Sequence, residues 1–308
     1  MAFGAFQSSV GAGAPSGAAI VQRKSPVALL LLLPGVLYLI LFFLTPLLSL
    51  VLTSFQEPVP GGFIGEFQNS FRWENYTLVI ETYWPHISRS FIYALVATFF
   101  ALVIGYPIAY VIGVKLRAYP LLQALALVLV IAPFFISFLL RTLAWKQIFA
   151  DEGWLMSALK GLQLIPAEAY FTGSPAAVIF GLTYNFIPFM TLPIYTSLEK
   201  LDLRYVEAGG DLYAHPITVF RTITFPLSLP GVLSGVLLTF IPAAGDYINA
   251  SRDFLGSTDT QMIGNVIEAN FLVLQNFPAA AALSLLLMGA ILVLVSAYVK
   301  RSGTDELL

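Results

Sequence analysis

Residues able to do bond-making chemistry are scarce in this sequence, and the longest polar stretch is suited to contact instead. That stretch, Glu207 to Gly231, reads EAGGDLYAHPITVFRTITFPLSLPG. No lysine directly follows a glycine, so the GxxxxGK[ST] phosphate loop is absent, and no GxSxG elbow occurs. There are no cysteines, which removes disulfides, thiolate metal sites and cysteine nucleophiles. The two histidines, His86 and His215, lie far apart and outside any HExxH pair. Paired carboxylates are missing from the centres of the predicted helices, where a proton-coupled pump would use them. The chain is therefore expected not to be an enzyme, and the Glu207 stretch to be a contact surface.

The elements that must carry this stretch follow from composition. Of 308 residues, 58% are hydrophobic and 10% charged, and the mean hydropathy is +0.84. A soluble domain carries about 25% charged residues, so this is an integral membrane protein. A net charge of −2 argues against nucleic acid as a partner. Residues 1–25 are rich in Gly, Ala and Ser and predict a flexible tail closed by Arg23 and Lys24. Residues 26–308 form the membrane domain.

Six apolar runs predict six spanning helices: Val27–Phe55, Ser90–Val114, Tyr119–Leu140, Ala176–Ser197, Leu227–Tyr247 and Ala279–Val299. Continuous runs of this length exclude a barrel, whose strands alternate over about ten residues. Pro34 and Pro46 are expected to kink the first helix, and Pro188, Pro193 and Pro242 interrupt the fourth and fifth. With the N-terminus cytoplasmic, nine of the 15 lysines and arginines fall on the inner side, and eleven of the 17 acids fall on the outer side. That bias predicts both termini inside. Helices two and three are joined by a few inner residues and should form a tight antiparallel pair. The inner loop 198–226 is by contrast long and polar. Its helical pattern reaches Tyr213 or Ala214, breaks before Pro216, and restarts with Ile217, Phe220, Ile223 and Thr224 as a stripe. It would either present Glu207 and Asp211 to a cytoplasmic partner or rest on lipid headgroups.

Glu207-Ala208-Gly209, Asp211-Leu212, Ile223, Pro226 and Pro230-Gly231 resemble the "EAA" loop of ABC-importer membrane subunits. Arg141-Thr142-Leu143-Ala144-Trp145, Tyr184-Asn185-Phe186-Ile187-Pro188 and Pro242-Ala243-Ala244-Gly245-Asp246-Tyr247 are similar to the spermidine/putrescine permease branch. The resemblance implies an all-α, six-helix, type I (MetI-like) permease fold in a bacterial inner membrane. It also implies import of a small solute such as a polyamine by alternating access. The implied partners are a second homologous permease, two ATPase subunits and an external solute-binding protein. ATP and Mg would sit on the ATPase, and this chain would bind no cofactor or metal. In the docking loop the resemblance implies that Glu207, Ala208, Gly209, Asp211, Leu212 and Tyr213 meet the ATPase. Two positions depart from the pattern: Gly209 replaces the second alanine, and Tyr213 stands where a glycine is usual. Gly209-Gly210 are expected to supply the flexibility of that missing glycine.

The substrate path is then expected among helices three to five. Asp246, at the outer end of helix five, could attract a protonated amine. Trp145, Tyr184, Asn185 and Tyr247 could add hydrogen bonds and cation–π contacts of about 0.5–2 kcal/mol each. Competing roles are interfacial anchoring for Trp145 and Tyr247 and helix-to-helix adhesion for Asn185. Gly231 and Gly235 form a small-xxx-small pair suited to close helix packing. An ion-coupled secondary transporter, or an importer of another small organic solute, is the alternative reading.

Overall fold

The computed structural model describes residues 26–302, with side chains from Leu30 to Lys300. The expected tail at residues 1–25 lies outside the described residues. Regular structure is helical apart from one antiparallel hairpin. In chain order the elements are α1 (Pro26–Leu39), α2 (Thr45–Ser54), β1 (Glu57–Pro58), β2 (Phe67–Gln68), α3 (Glu74–Tyr110), α4 (Pro120–Ile131), α5 (Phe138–Ile148) and α6 (Trp154–Gly161). They continue with α7 (Pro175–Glu199), α8 (Leu203–Asp211), α9 (Pro216–Val219), α10 (Phe225–Ala244), α11 (Ile263–Glu268) and α12 (Phe277–Ser302). Among the described residues five helices are long and apolar enough to cross a membrane, and six when one sharply bent pair counts as a single span.

The described residues divide into two compact units, with the boundary between Ser49 and Leu50. In the first, Pro34 lies inside α1 without ending it. Pro46 is accommodated differently. A π-helical turn, Ile40–Leu44, precedes it, and the Thr45 N–H bonds the Ile40 carbonyl five residues back. The Thr45 hydroxyl donates to the same carbonyl at 3.0 Å. Widening the turn keeps the Pro46 ring off the carbonyl that it would otherwise strike.

In the second unit, α7 runs between α3 and α10 and packs against both. The inward face of α3 is mostly small: Ala94, Ala97, Ala101, Gly105 and Ala109 are buried, beside Tyr93 and Tyr106. Ile92, Leu95, Phe99 and Val103 on its other faces are exposed. Small residues inward and large ones outward is the pattern of a membrane helix, where lipid already satisfies Leu and Phe and close backbone approach supplies the attraction.

Two expectations from the sequence need correction. The second span begins at Glu74 and not at Ser90, because α3 extends beyond the apolar run as an amphipathic helix. Its Val79 packs against Ile263, Val266, Ala279, Ala282 and Leu283. Trp84 is accordingly helical and not in a loop. The third run is not one continuous helix: Pro120–Phe135 and Phe138–Ile148 meet at 94°. Pro133 opens the break within a short 3₁₀ turn, and Ile136 and Ser137 are extended before α5 restarts. Trp145 therefore lies on the second limb of a broken span and not beyond the helix.

Connecting segments meet one another at each end of the helices. The corner between α3 and α4 bonds the segment after α7 through Arg117 and the Leu201 carbonyl, 2.8 Å. At the opposite end Lys146 reaches the Asp253 carbonyl, 2.8 Å, and Gly173 N–H bonds the Leu255 carbonyl, 2.8 Å.

The small-xxx-small pair works as the sequence suggests. A Cβ at Gly231 would fall 2.6 Å from the Pro193 carbonyl oxygen and 3.0 Å from Ile194 Cα, and one at Gly235 would fall 3.0 Å from the Met190 carbonyl oxygen. These are backbone atoms of α7, which cannot yield as a side-chain tip can. Gly231→Ala should cost about 1–3 kcal/mol and lower the melting temperature of the detergent-solubilised protein. Gly289→Ala, with nothing within 4 Å, should leave it unchanged or slightly raised. Equal melting temperatures for Gly231→Ala and wild type would disprove tight α7–α10 packing.

Candidate functional site

Two regions gather the residues singled out above, one at each end of the helices. In the first, Asp202 caps α8 by accepting the Arg204 N–H at 3.0 Å. Gly209 is the buried residue of α8, and a Cβ there would meet Val219 Cγ2 at 3.0 Å and Ile223 Cδ1 at 3.2 Å. Gly209 thus serves close packing of α8 on the restarted helix. Gly209 and Gly210 are both helical and do not form the turn, contrary to the sequence expectation.

The turn falls on Tyr213, whose φ is +56°. The Tyr213 N–H bonds the Gly210 carbonyl at 2.9 Å and the Ala214 N–H bonds the Gly209 carbonyl at 3.2 Å. This pair of bonds is a Schellman closure, in which a left-handed residue ends the helix. A tyrosine adopts the conformation that a glycine would take at no steric cost, at a penalty of about 1–2 kcal/mol. His215 then caps α9, its Nδ1 accepting the Ile217 N–H at 3.3 Å, with Pro216 as first helical residue. Val219 and Thr224 of the restarted helix are buried, whereas Ile217 is exposed, so the inward stripe is narrower than its sequence pattern suggests. Glu207, Ala208 and Asp211 are exposed, and Leu212 and Tyr213 stand out at 81% and 99% exposure.

The second region lies where α5, α7 and the segment after α10 meet. Asn185 of α7 is fully buried and donates from Nδ2 to Thr142 Oγ1 and to Asn249 Oδ1, both at 3.1 Å. Asn249 turns back on Asp246, its backbone N–H reaching Oδ2 at 2.7 Å and its Nδ2 reaching Oδ1 at 3.2 Å. Gly181 leaves room for this: a Cβ there would sit 2.4 Å from Asn249 Oδ1. A continuous polar seam, Thr142–Asn185–Asn249–Asp246, therefore ties three elements together. Asp246 lies beyond the last residue of its span, Ala244, and is buried. Burial pushes its carboxyl up to about 6, against the opposing pull of N–H donors from Asn249, Ala250 and Ile248.

Trp145 and Tyr184 meet beside this seam at 5.1 Å between ring centroids. Trp145 also stacks on Phe149 at 5.4 Å and meets Phe180 edge-on at 4.7 Å, so its ring belongs to an aromatic cluster. Tyr247 stands apart: it is 47% exposed, and its carbonyl accepts Asn265 Nδ2 at 2.6 Å. Arg141, one residue before Thr142, is buried with its guanidinium 5.6 Å from the Phe138 ring centroid. Its Nε and Nη1 find no hydrogen-bond partner among the described residues. Asn249 was missed by sequence reasoning. Its signal was the Asp246-x-x-Asn249 spacing, with which an aspartate can accept from the backbone N–H beyond it.

No family model matches the chain. It is 36% identical over 253 residues to the spermidine/putrescine transport system permease protein PotB of Escherichia coli K12, covering 81% of this chain and 88% of that protein. Among solved structures it matches a bacterial ABC transporter involved in the import of the acidic polysaccharide alginate. The TM-score is 0.67 at 15% identity, over 90% of this chain and 94% of that one. A chain of the MetNI methionine ABC transporter in an inward-facing conformation aligns with a TM-score of 0.50 at 21% identity, over 69% of this chain and 94% of that one. Both structural likenesses bear on the fold alone. At the identity and coverage of the PotB match, this chain belongs to the spermidine/putrescine permease family of ABC-importer membrane subunits.

Proposed function

We propose that this chain is the membrane-spanning subunit of an ATP-driven polyamine importer in a bacterial inner membrane, with both termini cytoplasmic. Its partners are a second homologous permease, two ATPase subunits carrying ATP and Mg, and an external solute-binding protein. The observation that carries this reading is the α8 turn. A short helix held by buried Gly209 projects Leu212 and Tyr213 almost fully into solvent, in a chain that has no phosphate loop of its own. An exposed leucine beside an exposed tyrosine suits insertion into a partner's groove, with Glu207 orienting the helix from its solvent side.

In this reading, closure of the ATPases displaces α8, and the displacement passes through Val219 and the π-helical turn Phe220–Thr224 into α10. The far end of α10 carries Asp246. Parting α7 from the segment after α10 would break the Asn185–Asn249 bond and uncover the Asp246 carboxylate, still held by its own Asn249 donors, to an alkylammonium. Tyr184 and Trp145, beside Asn185, would then receive the alkyl amine against their rings.

Leu212→Asp should leave the fold intact, since the side chain is 81% exposed, and should reduce ATPase co-purification about tenfold, the effect of roughly 1.4 kcal/mol. Glu207→Ala should raise ATP hydrolysed per solute imported. Normal ATPase yield from Leu212→Asp would refute the docking assignment.

Asp246→Asn has two readouts. The carboxyl's folded pKa of about 6 lies above its unfolded value of about 3.9, so the folded state holds the proton more tightly. The stability this contributes is present below about pH 4 and lost as pH rises to about 6, on the order of 2–3 kcal/mol. Thermal stability of the wild type should therefore fall between pH 4 and 6 more than that of Asp246→Asn. Uptake of spermidine should fall about tenfold or more in the variant, as expected for losing a charge-assisted hydrogen bond. Unchanged uptake would remove the amine-receiving role.

A further inference from the structure

The α3–α4 corner reaches across to the root of the docking helix through one side chain. The Arg117 guanidinium donates from Nη1 to the Leu201 carbonyl at 2.8 Å and from Nη2 to the Glu199 carbonyl. Glu199 ends α7, and α8 begins at Leu203. One planar fork therefore holds both of the carbonyls that flank Lys200, at a helix C-terminus whose last carbonyls have no helical partners. A cation there also meets the negative end of the α7 dipole. The same corner makes a second attachment: Gln123 Nε2 of α4 donates to the Tyr195 hydroxyl at 3.4 Å, and that hydroxyl donates to Glu199 Oε1 at 2.6 Å. Below these bonds the packing is close, since a Cβ at Gly113 would stand 3.2 Å from Leu198 Cβ.

We propose that Arg117 is a positioning residue that couples the α7–α8 junction to the α3–α4 corner, so that displacement of the docking helix also moves the broken third span. This rests on the docking role of α8 proposed above. Without the fork, α8 could swing about Lys200–Asp202 and pass its motion to α10 alone. The third span leads through its 94° bend to α5, where Thr142 meets the polar seam. Arg117 thus supplies a second route from the docking helix to the opposite end of the protein. Lysine cannot replace it fully, because a single ammonium lacks the fork that reaches both carbonyls.

The test uses the complete complex with its ATPase and binding protein in vesicles, and reads ATP hydrolysed per spermidine imported. Arg117→Ala should assemble with normal ATPase yield and raise that ratio several-fold, and Arg117→Lys should raise it less. A purely structural role would lower complex yield but leave the ratio of the assembled fraction unchanged. An unchanged ratio in assembled Arg117→Ala overturns the proposal. Should Arg117→Ala fail to assemble, an unchanged ratio in Arg117→Lys overturns it. Leu212→Asp run in parallel separates the two ideas. If it keeps its ATPase, the docking reading fails and takes the coupling with it; if it loses the ATPase while Arg117→Ala keeps a normal ratio, the coupling alone is wrong.

Discussion

Everything in this structure answers to one constraint: within hydrocarbon, each backbone N–H and carbonyl must find its partner inside the protein. The chain has 19 prolines, and each within a span removes a donor and pushes on a carbonyl four residues back. The same remedy appears twice. Thr45 precedes Pro46 and bonds Ile40 five residues back; Phe225 precedes Pro226 and bonds Phe220 in the same way. Opening one turn to a π-helical width moves the carbonyl off the proline ring without breaking the helix. Hydroxyls add partners near other prolines, as Thr191 does to the Ile187 carbonyl at 2.9 Å and Ser234 to the Pro230 carbonyl at 2.9 Å. At Pro133 the span bends outright.

That bend has a functional consequence. Without the bend, the C-terminal part of the third span would continue on the line of Pro120–Phe135. The 94° turn instead lays α5 beside α7, which brings Thr142 onto Asn185 and Trp145 onto Tyr184. The two contacts are one helical turn apart on α5, so they fix both its position and its rotation. Proline thus acts here as a placement device for the seam.

Much of the architecture was legible because it follows from length and transfer free energy. Apolar runs near twenty residues located most of the spans, and Pro216 marked the break after α8. What was not legible depended on contacts between distant segments. Residues 74–89 precede the apolar run that begins at Ser90, yet the helix extends through them because Val79 is covered by α11 and α12. Asn249 gave no apolar or periodic signal; its role exists only because Gly181 lets it approach α7. Asp246 was visible as a charge near a helix end, but its burial and raised pKa arise from the fold around it.

The docking turn shows how a departure from pattern can be absorbed. A glycine at position 213 would take φ +56° freely, whereas tyrosine costs about 1–2 kcal/mol. The Schellman bonds to Gly209 and Gly210 and the capping by His215 hold the backbone on both sides of Tyr213, so the strained conformation is determined by its neighbours. The strain is retained where the side chain is 99% exposed, in a region where no intramolecular packing rewards a large aromatic ring. If α8 docks as proposed, burial of the Tyr213 ring in the partner would offset that cost. At about 25 cal/mol per Å², covering even half of a tyrosine's apolar surface would outweigh a penalty of that size.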